Sequence, residues 1–167
     1  MTKPILVLGY GNPSRGDDAL GPLLLDFIDR YPDLSQIELL TDFQLQIEHA
    51  LDLQNRELAL FIDASVAGGE AFDFVELKPA KDNSYTSHAM SPAAVLLVYQ
   101  SVTGLPPPPA FLLSIRGLSF ELGAGLSDEA AANFRLACDF AGQLLARPNL
   151  TDWRRKIGKR QAAVQQS

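Results

Sequence analysis

The stretch from Pro4 to Asp29, PILVLGYGNPSRGDDALGPLLLDFID, constrains the fold more than any other. Ile5, Leu6, Val7 and Leu8 form an unbroken apolar run, which suits a strand covered on both faces. Gly9 and Gly11 follow, where a backbone without Cβ can turn sharply and admit close neighbours. Asn12-Pro13 and Ser14-Arg15-Gly16 prolong the turn. Asp17 and Asp18 stand just ahead of Leu20, Leu23, Leu24, Phe27 and Ile28, which recur at helical spacing. Two carboxylates therefore lie where a strand ends and a helix begins. Open α/β sheets build their sites on that side.

A phosphate cradle is the first reading of Gly-Tyr-Gly-Asn, and the loop argues against it. A dinucleotide fingerprint wants a third glycine and a bare helix N-terminus. Here two carboxylates occupy the helix start. They repel phosphate and suit a cation or proton transfer. No Gly-Lys-Ser/Thr is present, which excludes a P-loop.

The other strands follow the same logic. Ile37, Leu39 and Leu40 predict a second strand ending at Thr41-Asp42. Leu45, His49 and Leu53, spaced by four, predict a short helix with His49 on its surface or partly packed. Leu58 to Ile62 is a strand with almost no polar residue, and Asp63 ends it. That carboxylate either caps a turn through its own backbone or is held for a cation, since an unpaired buried charge is costly. Phe72, Phe74 and Val75 alternate with Asp73 and Glu76, as on an edge strand. Ser91-Pro92 opens a strongly apolar helix, and His88 stands in the loop before it, bonded to nearby backbone or offered to a metal. Four prolines, Pro106 to Pro109, lead stiffly into a last strand over Ala110 to Ile115. Ser127 caps a final helix that Pro148 stops. These elements predict a three-layer α/β/α fold. Its sheet is twisted and mainly parallel, with about five strands and helices on both faces.

Length and charge bound the rest. With 167 residues the chain suits one domain, expected over residues 1–148. Residues 149–167 are polar and basic and read as a frayed helix or a disordered tail, solvated in preference to a basic arm for an acidic partner. A net charge of −6 argues against a nucleic-acid partner. The single cysteine, Cys138, cannot form an internal disulfide and falls at a packing position of the last helix. No apolar run is long enough to span a bilayer, and the start has no secretory pattern. A cytoplasmic monomer with no membrane partner is the expectation.

GYGNPSRGDDALG resembles the amino-terminal signature of the hydrogenase maturation endopeptidases. Shared features are the Gly-x-Gly-Asn turn, the acidic pair, and Gly21 after two intervening residues. Ala19 stands where many members have glycine. FIDAS around Asp63 and the Ser87-His88 loop before Ser91-Pro92 resemble the family's second and third elements. Gln44 and Glu48 resemble a subset of the family; the alternative is a solvated helix face. The resemblance spans roughly Ile5 to Leu145 and implies that Asp18, Asp63 and His88 contact a metal. Asp17 or Asp18 would serve as base. It implies an enzyme that removes the carboxy-terminal extension of a nickel-containing hydrogenase large-subunit precursor after nickel insertion. The ion would be nickel supplied by that precursor, with zinc or cadmium able to substitute. Two oxygens and one nitrogen suit those ions better than magnesium. Two other readings stay open. One is a non-catalytic nickel-sensing chaperone for the same precursor. The other is a hydrolase like peptidyl-tRNA hydrolase, which shares the Gly-x-Gly-Asn-Pro turn but expects a histidine sooner than His49.

Overall fold

The computed structural model describes residues 2–82 and 90–157. The apolar runs become strands β1 (Ile5–Tyr10), β2 (Ile37–Asp42), β3 (Leu58–Ser65), β4 (Phe72–Leu77) and β5 (Ala110–Arg116). They form one sheet in the order β2-β1-β3-β5-β4. Every pairing is parallel except β4 with β5. The antiparallel strand sits at the edge, where a strand with an incompletely apolar sequence is tolerated.

The pleat divides each apolar run between two cores. Ile5 and Val7 of β1 join one cluster with Leu60 and Ile62 of β3. Helices α1 (Leu20–Ile28) and α3 (Asp128–Ala146) cover that face. Leu6 and Leu8 join the other cluster with Phe61. Helix α2 (Pro92–Thr103) and a 3₁₀ segment, Ile47–Leu53, cover it. Burial on both faces is what an unbroken apolar run implies. The helix ends follow their sequence signals. Ser91 and Ser127 accept hydrogen bonds from Ala94 and Ala130 at the starts of α2 and α3. Gly104 ends α2 at φ +70°.

Two expectations need correction. The segment around His49 is 3₁₀ rather than α-helix. It still buries Leu45, His49 and Leu53, so the spacing identified the buried face and not the winding. The domain also does not end at 148. Residues 150–157 are helical and Trp153 is fully buried. Its ring meets Phe111 edge-on at 5.3 Å and its indole N–H donates to Leu144 O at 2.9 Å. One large aromatic therefore anchors a segment whose charges suggested solvation. Residues 158–167 lie outside the described residues. Cys138 is buried in the α3 core as expected, and burial pushes its thiol up to about 11. No helix among the described residues is long and apolar enough to cross a membrane.

Candidate active site

The chain leaves β1 toward β2 on one side and later returns to place β3 on the other. That reversal opens a crevice beyond the carboxyl ends of β1 and β3, where open α/β sheets bind ligands. Asp18 and Asp63 stand at this rim. Asp63 is near the end of β3, and Asp18 lies in the 3₁₀ turn Gly16–Ala19 that follows β1.

Glycine makes the first half possible. Gly11 has φ +146°, and a Cβ there would lie 2.1 Å from the Asp18 carbonyl oxygen. Only glycine lets the turn close so tightly. The Asn12 amide then donates to Asp18 Oδ2 at 2.7 Å. The amide that a phosphate would have used holds the protein's own carboxylate instead. This turn therefore presents an anion, in keeping with the case against a phosphate cradle.

Asp63 is held by a residue that sequence reasoning missed. Tyr10 at the end of β1 donates its hydroxyl to Asp63 Oδ2 at 2.8 Å. Gly9 pairs with Ile62, so the next residues along both strands face the same side. The other oxygen, Oδ1, is sealed from solvent and has no hydrogen-bond partner among the described residues. Desolvation pushes the Asp63 carboxyl up to about 6, and the nearby Asp18 charge adds to the rise. Tyr10 and Ser114 offset part of it. Burial and the two aspartates hold the Tyr10 phenol well above its ordinary range, so it stays a donor. A buried carboxylate oxygen without a hydrogen-bond partner among the described residues, next to a second carboxylate, suits a cation.

Asp17 has a different place. It is fully buried. Its Oδ2 accepts from Leu118 N at 2.7 Å, Ser119 N at 3.2 Å and Ser127 Oγ at 2.8 Å. Its Oδ1 accepts from Ser127 N at 2.8 Å. Desolvation raises the carboxyl, but these donors outweigh it and leave it below the usual range. Asp17 ties the β1 turn to the loop entering α3, with both its oxygens engaged by that loop.

His49 is buried against the rim. Its Nδ1 accepts from Gln46 N at 2.8 Å, and its Nε2 lies 3.3 Å from Asp42 Oδ2. Both nitrogens are engaged in holding the β2 loop. Glu48 is exposed and Gln44 partly so. His88 lies outside the described residues. The chain on either side of it is anchored: Ser91 N donates to Asp82 Oδ2 at 3.2 Å and Met90 N to Leu45 O at 3.4 Å. Among the described residues no three His, Cys, Asp or Glu side chains gather as a metal site. Two of the expected ligands, Asp18 and Asp63, do share one rim.

The architecture is thus a mainly parallel α/β/α protein with paired carboxylates at its topological switch point. Solved structures of similar shape bear out the resemblance to the hydrogenase maturation endopeptidases. The hydrogenase maturating endopeptidase HybD from Escherichia coli is 25% identical, with a TM-score of 0.65 over 85% of this chain and 92% of that one. An endopeptidase from Escherichia coli is 25% identical, with a TM-score of 0.66 over 82% of this chain and 88% of that one. The [NiFe] hydrogenase maturation protease HycI from Thermococcus kodakarensis KOD1 shares the fold at 22% identity, with a TM-score of 0.64 over 87% and 94%. Comparison with protein-family models and with curated proteins finds no match.

Proposed function

We propose that the protein is an endopeptidase that trims the carboxy-terminal extension from the precursor of a nickel-containing hydrogenase large subunit. The observation that carries this reading is Asp63. One of its oxygens is oriented by Tyr10, and the other is buried without a hydrogen-bond partner among the described residues, with the nearby Ser114 easing its charge, beside Asp18. It occurs in a fold shared with a hydrogenase maturating endopeptidase.

Asp18, Asp63 and His88 are the side chains that would hold the nickel carried by the precursor. His88 is two residues from the anchored Met90, on the chain entering α2. A divalent ion there supplies Lewis acidity toward the scissile carbonyl. The chain's own groups do the rest. Tyr10 keeps Asp63 Oδ2 engaged, so that Oδ1 is the oxygen presented. Asp18, with Oδ2 fixed by the Asn12 amide, takes the proton of the attacking water and returns it to the leaving nitrogen. Asp17 keeps that turn in place.

The test is precursor processing with nickel-loaded and nickel-free substrate. Cleavage of the loaded form alone is expected, and Asp18→Ala, Asp63→Ala or His88→Ala should each abolish it with the fold intact. Tight binding of the loaded precursor without cleavage would instead indicate a nickel-sensing chaperone. Full processing by all three variants would remove the assignment of the metal contacts.

A further inference from the structure

Beside Asp63 lies a cavity that the proposed chemistry does not use. It has a volume of about 320 Å³ and is lined by Ser65, Gly68, Gly69, Asp73, Ser114 and Arg116, among others. Asp63 pairs with Ser114 and Ser65 with Arg116 across β3 and β5. Residues two apart on a strand face the same side. Asp63, Ser65, Ser114 and Arg116 therefore form one patch, with the carboxylate at one end and the guanidinium roughly two residues, or about 7 Å, further along.

Arg116 is incompletely satisfied. Its Nε is sealed from solvent and has no hydrogen-bond partner among the described residues. Among the described residues its Nη1 has one hydrogen bond, a long one to Gly69 O at 3.5 Å. Its backbone is fixed on both sides, by Ala71 O at 2.9 Å and by Asn133 Nδ2 at 3.0 Å. A donor N–H sealed from water without an acceptor is costly, and a bound acceptor removes that cost. Glu70 and Asp73 are exposed carboxylates on the same cavity. They disfavour an anionic occupant and leave a neutral oxygen as the better match. Gly68 and Gly69 have no atom within 4 Å of a would-be Cβ, so this wall leaves room for another chain.

We propose that this cavity is a subsite for the extended substrate segment next to the scissile bond, with Arg116 donating to a main-chain carbonyl oxygen of that segment. Arg116 is then a positioning residue that sets where the peptide lies relative to Asp63. The inference rests on the endopeptidase reading for the identity of the segment, while binding can be measured without cleavage.

The experiment uses a synthetic peptide spanning the precursor's cleavage segment, labelled for fluorescence anisotropy. It is titrated with the full chain carrying Asp63→Asn, with and without Arg116→Gln. Thermal unfolding confirms that both variants are folded. Binding weaker by about tenfold with Arg116→Gln is expected, and the difference should persist at about 0.5 M salt, as suits a neutral acceptor. In turnover with intact Asp63, Arg116→Gln should raise KM about tenfold and leave kcat within about threefold. Equal peptide affinity with and without Arg116→Gln overturns the subsite. A difference that vanishes at high salt overturns the carbonyl assignment. If the unsubstituted chain does not cleave nickel-loaded precursor, the endopeptidase reading fails; if Asp63→Asn still processes it normally, only the role of Asp63 fails; in both cases the affinity comparison still decides the role of Arg116.

Discussion

Asp63→Asn should stabilise the protein while removing its activity, and the gain should grow with pH. The Asp63 carboxyl lies at about 6 in the folded state against an ordinary 3.8. Between those values the folded chain binds more protons than the unfolded one. Stability therefore falls as pH rises through this window and levels off above about 6. The penalty works out at about 1.5 kcal/mol at pH 5 and about 3 kcal/mol at pH 8. Asparagine does not titrate, and its amide oxygen can still accept from Tyr10. Constant terms, such as the cost of burying the new NH₂ group, cancel between the two pH values. So do the titrations of Asp17 and of the other groups that do not interact with Asp63. Urea unfolding of both proteins should show the variant's advantage increasing by about 1.5 kcal/mol from pH 5 to pH 8. An advantage that is constant, or larger at pH 5, would refute the claim that Asp63 is held in an environment hostile to its charge.

Three further outcomes follow from the same contacts. Trp153→Ala should cost about 3–5 kcal/mol in urea unfolding, because the indole fills the core beside Phe74 and Phe111; a cost near zero would return residues 149–157 to a tail. Asp17→Ala should cost about 3 kcal/mol or more by stranding the amides of Leu118, Ser119 and Ser127, as read by the same unfolding assay. Cadmium affinity, measured by calorimetry, should weaken by about tenfold or more per pH unit below about 6, as protons compete for Asp63 and for the imidazole of His88; a pH-independent affinity would place the ion elsewhere.

Much of this was legible in the chain. The short runs Ile5–Leu8 and Leu58–Ile62, bounded by turn residues, suit strands covered on both faces, and such strands call for helices on two sides. Asp63 near the end of one such strand and Asp18 in the turn after another share a rim once the two strands are parallel neighbours, and the sheet order supplies that condition. What stayed hidden depends on register or on single contacts. Tyr10 gave no sign, because its hydroxyl meets Asp63 only through the alignment of Gly9 with Ile62. Asp17 and Asp18 are neighbours with the same chemistry, yet one is buried by a loop more than a hundred residues away. The charge of 149–157 leaves a frayed helix and a tail both open, and the burial of one tryptophan selects the helix. Arg116 stood at a strand end like Asp63, but an orphaned Nε is visible only in three dimensions.

The most direct measurement is diffraction from crystals soaked in a cadmium salt, with data collected for the metal's anomalous signal. Density between Asp63 Oδ1 and the Asp18 carboxylate, completed by the imidazole of His88, is the predicted result. A strong cadmium peak that none of these three side chains touches would contradict it.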